Sequence, residues 1–280
     1  MLRRGWPVLA VLFVTLIGCQ EKHYPIGGKY PEQVYVRVVS LSPSASELLG
    51  LLNAENSMIG RSAACNRPES LRDIPIMANP DPNFDLIVSN QADLVVADAA
   101  TLAPRHVEKL KELGIKLKLI KIDSVDEWIE AVWDLADMFM AQSTASKEID
   151  RVTEAMKKGE IDPIRPQPVA LVAMGAGKPW VAGTESFQAD ILRKAGAKVV
   201  GPTGNRFVTV SPEQILEWNP DVVFVSDNPD DYYKSPAWAA TKAGKTHHIV
   251  GVNPDLLLRA GARVADLLNS VHDELVRSRE

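Results

Sequence analysis

The 280-residue sequence offers few groups able to make or break a covalent bond, and their neighbours decide what each can do. Gly175-Ala176-Gly177-Lys178-Pro179 holds a Gly-Lys pair. A phosphate loop would need another Gly at position 172, where Val172 stands, and Ser or Thr where Pro179 stands. There is no Gly-x-Ser-x-Gly elbow and no His-Glu-x-x-His. The five histidines are His23, His106, His247, His248 and His272. His247 and His248 fall at the start of a predicted strand, where alternate side chains point to opposite faces, so the pair is a poor grip for one ion. His106 reads as an exposed residue in the first turn of its helix. Cys65 lacks a catalytic His–Asn context and reads as structural. The residues therefore predict no catalytic group, no metal site and no cofactor, and the chemistry left to the chain is reversible binding.

The elements that would position a binding site begin after an unusual N-terminus. Arg3 and Arg4 precede an apolar run from about Trp6 to Ile17, too short to span a bilayer and shaped like an export signal. It ends in Leu16-Ile17-Gly18-Cys19, which resembles the bacterial lipobox, in which the cysteine is lipidated and becomes the new N-terminus. Residues 1–19 are thus expected to be a lipoprotein signal, and residues 20–34, with Pro25, Gly27, Gly28 and Pro31, a flexible tether. Without Arg3 and Arg4 the chain has 29 basic against 36 acidic residues, a net charge of about −7. No basic cluster would hold a nucleic acid. With Cys19 lipidated, Cys65 has no partner for an intrachain disulfide.

From Tyr35 onward, strands and helices alternate, which predicts an α/β fold with mainly parallel sheets. The strand Tyr35–Leu41 leads into a helix opened by Ser42-Pro43-Ser44-Ala45-Ser46-Glu47, where serines can cap and a carboxylate enters the first turn. Met58–Gly60 and Leu94–Ala97 read as strands, Pro104–Leu113 as a helix stopped by Gly114, and Lys116–Ile122 as a further strand. Between Val125 and Lys158 two helices follow in sequence. Trp128, Ala131, Val132, Leu135, Met138 and Phe139 give the first one a buried stripe. The second keeps only Ile149, Val152 and Met156 at that spacing, among charged residues, and reads as a strut joining two bodies. The alternation then restarts with the strand Val169–Met174, the helix Ser186–Ala195, a helix opened by Ser211-Pro212-Glu213, the strand Val222–Val225, a strand Thr246–Val252 and a closing helix Gly261–Arg277. One correspondence spans the strut. Asp85-Leu86-Ile87 precedes Asp93-Leu94-Val95-Val96 by eight residues, and Glu213-Gln214-Ile215 precedes Asp221-Val222-Val223-Phe224 by the same eight. This predicts two similar lobes: residues 35–142, a connecting helix over 143–162, and residues 163–280.

A lipobox, a tether and two α/β lobes joined by a helix resemble the substrate-binding lipoproteins of ABC importers, in particular those that bind ferric siderophores, haem and cobalamin. The resemblance runs from about Val36 to the end. It is carried by Arg37-Val38-Val39-Ser40-Leu41-Ser42-Pro43-Ser44-Ala45-Ser46-Glu47-Leu48-Leu49, by Pro220-Asp221-Val222-Val223, and by Asn253-Pro254-Asp255-Leu256-Leu257-Leu258-Arg259-Ala260-Gly261-Ala262-Arg263. It implies a ligand cleft between the lobes and a stiff connecting helix that restrains them. The partners it implies are an ABC permease with its ATPase subunits, a small-molecule metal chelate, and a membrane that holds the N-terminal lipid of a monomer facing the periplasm or cell exterior. Asp85 and Glu213 match the acidic residue that each lobe of the family presents to permease arginines.

A cleft at the carboxyl ends of the strands also follows from the general rule for open α/β sheets. The loops expected there are 42–46, 62–68, 98–101, 178–180, 205–207 and 226–228. Within them Trp180 and Phe207 offer flat aromatic surfaces. Arg67 and Arg206 can pair with carboxylates or a net-negative chelate. Ser42 and Asp98 complete the expected ligand-binding set. Cobalamin binders of the family carry Tyr in the motif that here reads Cys65-Asn66-Arg67-Pro68, and Trp where Asp98 stands; Phe207 keeps an aromatic at its position. Haem members use a Tyr or His on iron, which no cleft loop clearly offers. The departures favour a ferric siderophore, with cobalamin or a related corrinoid second. A bilobal chelatase-like or cell-surface enzyme is the rival of another class, and a subunit that senses the chelate without transporting it is a third possibility.

Overall fold

The computed structural model describes residues 34–161 and 164–279. Cys19, the signal, and almost all of the expected tether lie outside the described residues. The first lobe is built from β1 (Val38–Ser40), α1 (Pro43–Leu51), β2 (Met58–Ser62), β3 (Ile76–Ala78), α2 (Phe84–Ser89), β4 (Leu94–Asp98), α3 (Pro104–Glu112) and β5 (Lys116–Ile120). Its sheet has the order β3-β2-β1-β4-β5 and every pairing is parallel. Two helices follow, α4 (Val125–Phe139) and α5 (Gln142–Ile161).

The second lobe contains β6 (Val169–Met174), β7 (Trp180–Ala182), α6 (Phe187–Lys194), β8 (Lys198–Val199), β9 (Phe207–Thr209), α7 (Pro212–Trp218) and β10 (Val222–Val225). The short helices α8 (Pro229–Lys234), α9 (Pro236–Ala239) and α10 (Lys242–Lys245) come next, then β11 (Ile249–Gly251), α11 (Pro254–Leu257) and α12 (Val264–Arg277). The sheet order is β11-β10-β6-β7-β9, with β8 beside the start of β6. The β10–β6 and β10–β11 pairs are parallel, whereas β7 runs antiparallel to both β6 and β9. The α/β class and the two-lobe plan are as the sequence predicts. The antiparallel pair is not read from sequence, because three-residue strands are too short to show an alternation.

The repeat has a structural meaning. In each lobe the Asp that closes the repeat holds the start of the central strand. Asp93 accepts from the backbone N–H of Val36 (3.1 Å) and Arg37 (3.2 Å) just before β1, and Asp221 accepts from Val169 N–H (2.8 Å) at the start of β6. The next strands, β4 and β10, then pair in parallel with β1 and β6. The helix before each Asp is capped alike. Asn83 accepts from Leu86 N–H and Ser211 from Gln214 N–H, the latter as a full capping box, which puts Asp85 and Glu213 at the same second helical position.

The connecting helix is not a wet strut. Helix α5 packs along α12 and α4, and its buried seam is Ala145, Val152 and Ala155, with Ile149 and Met156 partly buried beside it. The alanines escape a search for large apolar side chains. Arg151 pairs with Asp266 (3.2 Å) and Lys158 donates to Asn269, both on α12. Gly159 lies so close to α6 that a Cβ there would stand 2.7 Å from the carbonyl oxygen of Lys194. Helix α5 is thereby a wall of the second lobe as well as the link to it. One hydrophobic core continues through both lobes, from Val38 and Leu94 of the first sheet through Trp128 and Val152 to Phe224 and Leu268.

Two smaller expectations are corrected. The last strand is only Ile249–Gly251: α10 ends in a turn in which His247 takes a left-handed φ of 59°, so the two histidines do not begin a strand. His247 lies against Tyr233, and His248 Nδ1 is 2.9 Å from Thr246 Oγ1. His106 is not exposed. It is buried at 8% relative exposure, edge-on to Phe84, because the side of α3 that carries it faces the sheet end and not solvent.

Candidate ligand-binding cleft

Two cavities open at the carboxyl ends of the first-lobe strands. The first, of about 410 Å³, is lined by residues of the loop after β2, among them Asn66 and Arg67, and by Asp255 of the second lobe, so it lies between the lobes. The other, of about 350 Å³, is bounded by Leu41, Ser62, Ala78 and Thr101, which end or follow β1 to β4, and by His106. The two share Ala63.

Three arginines line the inter-lobe cavity, and their partners make them inequivalent. Arg61 donates to the carbonyl oxygens of Leu71 (2.8 Å), Ile74 (3.1 Å), Ser62, Cys65 and Arg72, so its guanidinium is spent on folding its own loop. Arg72 pairs with Glu69 at 3.0 Å. Among the described residues Arg67 has only a long contact to Asp255, 3.7 Å, and its side chain is 51% exposed. It is the guanidinium freest to meet a ligand. Cys65, at 1% exposure, sits 3.1 Å from Ser62 Oγ and is a packed thiol, as expected from sequence.

Ser42 and Asp98 are brought together, but not as two ligand contacts. Ser42 is buried at 1% exposure, and its hydroxyl oxygen accepts from Ala45 N–H (3.3 Å) at the start of α1 and from Asp98 N–H (3.1 Å) at the end of β4. It is a cap and a tie between the two central strands, and its place in the expected ligand set is withdrawn. Asp98, the last residue of β4, is half-buried and accepts from Ala100 N–H at 2.8 Å. Burial pushes its carboxyl above the usual range; the Ala100 N–H pulls it back, and the nearby Asp123 adds to the rise.

The second lobe supplies the aromatic candidates from its antiparallel pair. Trp180 opens β7 opposite Met174, at the carboxyl end of β6, and is 44% exposed. Phe207 opens β9 opposite Ala182, on the same face as Trp180, and leans on the continuous core. Arg206 is exposed on the loop before it. That loop touches the first lobe through Asn205, which donates to Asp123 (3.0 Å). Both aromatics expected on loops are therefore on strands, a more rigid mounting. His106 is among the cavity-lining residues that sequence reasoning missed, with Asp81 of the loop after β3 and Asp255 of the second lobe. Its Nε2 accepts from Arg105 (3.1 Å) and lies 3.5 Å from Asp81. The signal that could have found it is the i,i+4 spacing from His106 to the buried Leu110.

Asp85 and Glu213 are exposed in the first turns of α2 and α7, each at the strand-end rim of its own lobe. Ser211 hydrogen bonding holds the Glu213 carboxyl below its ordinary range. Among the described residues no group of three or more His, Cys, Asp or Glu could hold a metal ion, and no helix is long and apolar enough to cross a membrane.

Residues 38–256 match the model of the family described as periplasmic binding protein, and the chain belongs to that family. Over 255 residues it is 22% identical to an uncharacterized ABC transporter substrate-binding lipoprotein, YvrC, of Bacillus subtilis, with 85% of this chain and 80% of that one covered. Over 263 residues it is 24% identical to the vitamin B12-binding protein of Vibrio campbellii, covering 87% of this chain and 91% of that one. Among solved structures it resembles the periplasmic vitamin B12-binding protein BtuF of Vibrio cholerae, with a TM-score of 0.77, 21% identity, and 88% and 98% of the two chains covered. All three are named as binding proteins.

Proposed function

We propose that the chain is the extracytoplasmic substrate-binding component of an ABC importer, a monomer held at a membrane by a lipid on Cys19. It captures a net-negative metal chelate, of the ferric siderophore class, between its lobes and delivers it to the permease. The observation that carries this reading is the inter-lobe cavity in which Arg67 alone of three arginines is both exposed and, among the described residues, without a close partner. An anionic chelate gains a charge-assisted hydrogen bond there, while Trp180 offers an aromatic face on the other lobe. The exposed acids Asp85 and Glu213, at matching positions of the two lobes, suit docking to basic groups of the permease. The family and the names of the relatives support binding in preference to catalysis.

A corrinoid is the second reading, favoured by the two vitamin B12-binding relatives and by Trp180 and Phe207. The two are separated by titrating the protein with ferric siderophores, cobalamin and haem while following tryptophan fluorescence, with Trp180 as the exposed reporter. Saturable quenching by an anionic ferric siderophore, weakened by Arg67→Ala, is expected. Cobalamin binding that ignores Arg67→Ala moves the assignment to the corrinoid, and silence towards all three ligands removes the chelate reading.

A further inference from the structure

Where the lobes meet, one acid of the first lobe is buried among arginines of the second. Glu47, the fifth residue of α1 and not in its first turn as the sequence predicts, is 3% exposed. Its carboxylate accepts from Arg263 (3.2 Å), from Arg259 (3.4 Å) and from the backbone N–H of Ala262 (3.3 Å). The backbone at Gly261 presses on the same carboxylate: a Cβ there would stand 2.7 Å from Glu47 Cδ. The carbonyl of Gly261 accepts from the indole N–H of Trp128 on α4 at 2.8 Å. Arg259 extends the cluster to the cavity, donating to Asn66 (2.6 Å) and pairing with Asp255 (2.7 Å), the residue that faces Arg67.

We infer that Glu47 is a cross-lobe latch: it ties the cleft walls together at this point and, through Arg259 and Asp255, positions Arg67 in the cavity. A buried carboxylate is stable only while its partners stay in place, since breaking such a pair leaves a buried charge uncompensated. Each of the three donors to Glu47 comes from the segment 259–263, so any opening of the lobes at this point strips the carboxylate of all of them together.

The test needs no ligand, so its outcome is independent of which chelate, if any, is bound. The full-length protein is compared with Glu47→Gln, Arg263→Gln and Arg259→Gln by hydrogen exchange of the Trp128 indole, of the strand amides Val39 and Leu171, and by small-angle scattering. With the latch, indole exchange in Glu47→Gln and Arg263→Gln rises roughly tenfold or more while the strand amides keep their protection, and the radius of gyration grows. An unchanged indole in a folded Glu47→Gln overturns the inference. So does an indole that accelerates in step with the strands, which marks a residue that merely stabilises the fold. Where Glu47→Gln does not fold, the two arginine variants, altered at partly exposed side chains, separate a latch from a stabiliser by the same exchange pattern.

Discussion

The two lobes solve the same folding problem with one device and then diverge where the ligand would lie. In each, a capped helix carrying an acid at its second position leads after eight residues to an Asp that clamps the start of the central strand. The first lobe keeps the clamp local: Asp93 is supported by Arg37, whose Nε donates to the carbonyl oxygen of Asn90 (2.9 Å). The second draws in distant charges, with Lys242 at 3.4 Å and Arg279 at 3.1 Å from Asp221. At the strand ends the likeness stops. The all-parallel first sheet presents Arg67 on the loop after β2 and Asp98 at the end of β4, whereas the second turns back through an antiparallel pair that carries Trp180 and Phe207. A fold can thus be duplicated while its binding surface is not; the clamp belongs to the backbone and survives any change of ligand.

The strongest challenge to treating the lobes as separate units is Trp128, which is 1% exposed in a core that continues through both. Trp128→Ala is expected to cost about 3–5 kcal/mol in urea denaturation. Because its neighbours lie in both lobes, unfolding should remain a single transition; a variant in which one lobe melts first would split the core in two. Next comes the clamp. Removing the charge by Asp221→Asn is expected to cost about 1–2 kcal/mol at pH 7, and Asp93→Asn somewhat less because among the described residues its clamp contacts are backbone N–H groups and not cations. Burial raises the Asp221 carboxyl, but the Val169 N–H and the charges of Arg279 and Lys242 outweigh it and leave its folded pKa below the ordinary value. Its stabilisation is therefore present above the unfolded pKa and is lost as pH falls through the folded one. The difference between wild type and Asp221→Asn should shrink on acidification across that window; a constant difference would mean that charge has no part in the clamp.

These clamps mark how far the sequence can be read. Period and capping residues make the α/β order, the repeat and the positions of Asp85 and Glu213 legible, because each depends on neighbours within one turn or strand. The role of Asp221 as a clamp is hidden, since its acceptor oxygen serves Val169, 52 residues away. Glu47 is visible as a helix opener, but nothing local reveals that its partners lie more than 210 positions onward. Ser42 fails as a ligand contact for a related reason: a serine before a helix is as much a cap as a contact, and here the cap wins. Of the expected cleft residues, Arg67, Asp98, Trp180, Arg206 and Phe207 remain candidates from both lobes.

Asp98 gives the reverse of the Asp221 experiment. Its carboxyl is raised mainly by burial, so its charged form costs stability; that cost is absent below the unfolded pKa and grows as pH rises through the folded one. Asp98→Asn should therefore raise the midpoint of urea denaturation at neutral pH and leave it unchanged in acid. The same substitution on a residue that merely capped its loop would lower the midpoint at neutral pH and leave it little changed in acid.

The smallest expected effect on the isolated protein belongs to the pair that looks most symmetric. Asp85 and Glu213 are exposed, and neither is among the residues lining the two cavities at the cleft. Asp85→Ala with Glu213→Ala should change stability by less than about 1 kcal/mol, the loss being confined to favourable placement near two helix N-termini. Ligand titrations of the purified double variant should match the wild type, while uptake by cells that carry it in place of the wild type falls. The single variants distinguish two equivalent docking points from one: if the lobes are matched at this face, each costs a similar part of transport. Weaker ligand binding by the double variant would place the acids in the cleft, and the two-lobe symmetry would then be a property of the fold alone.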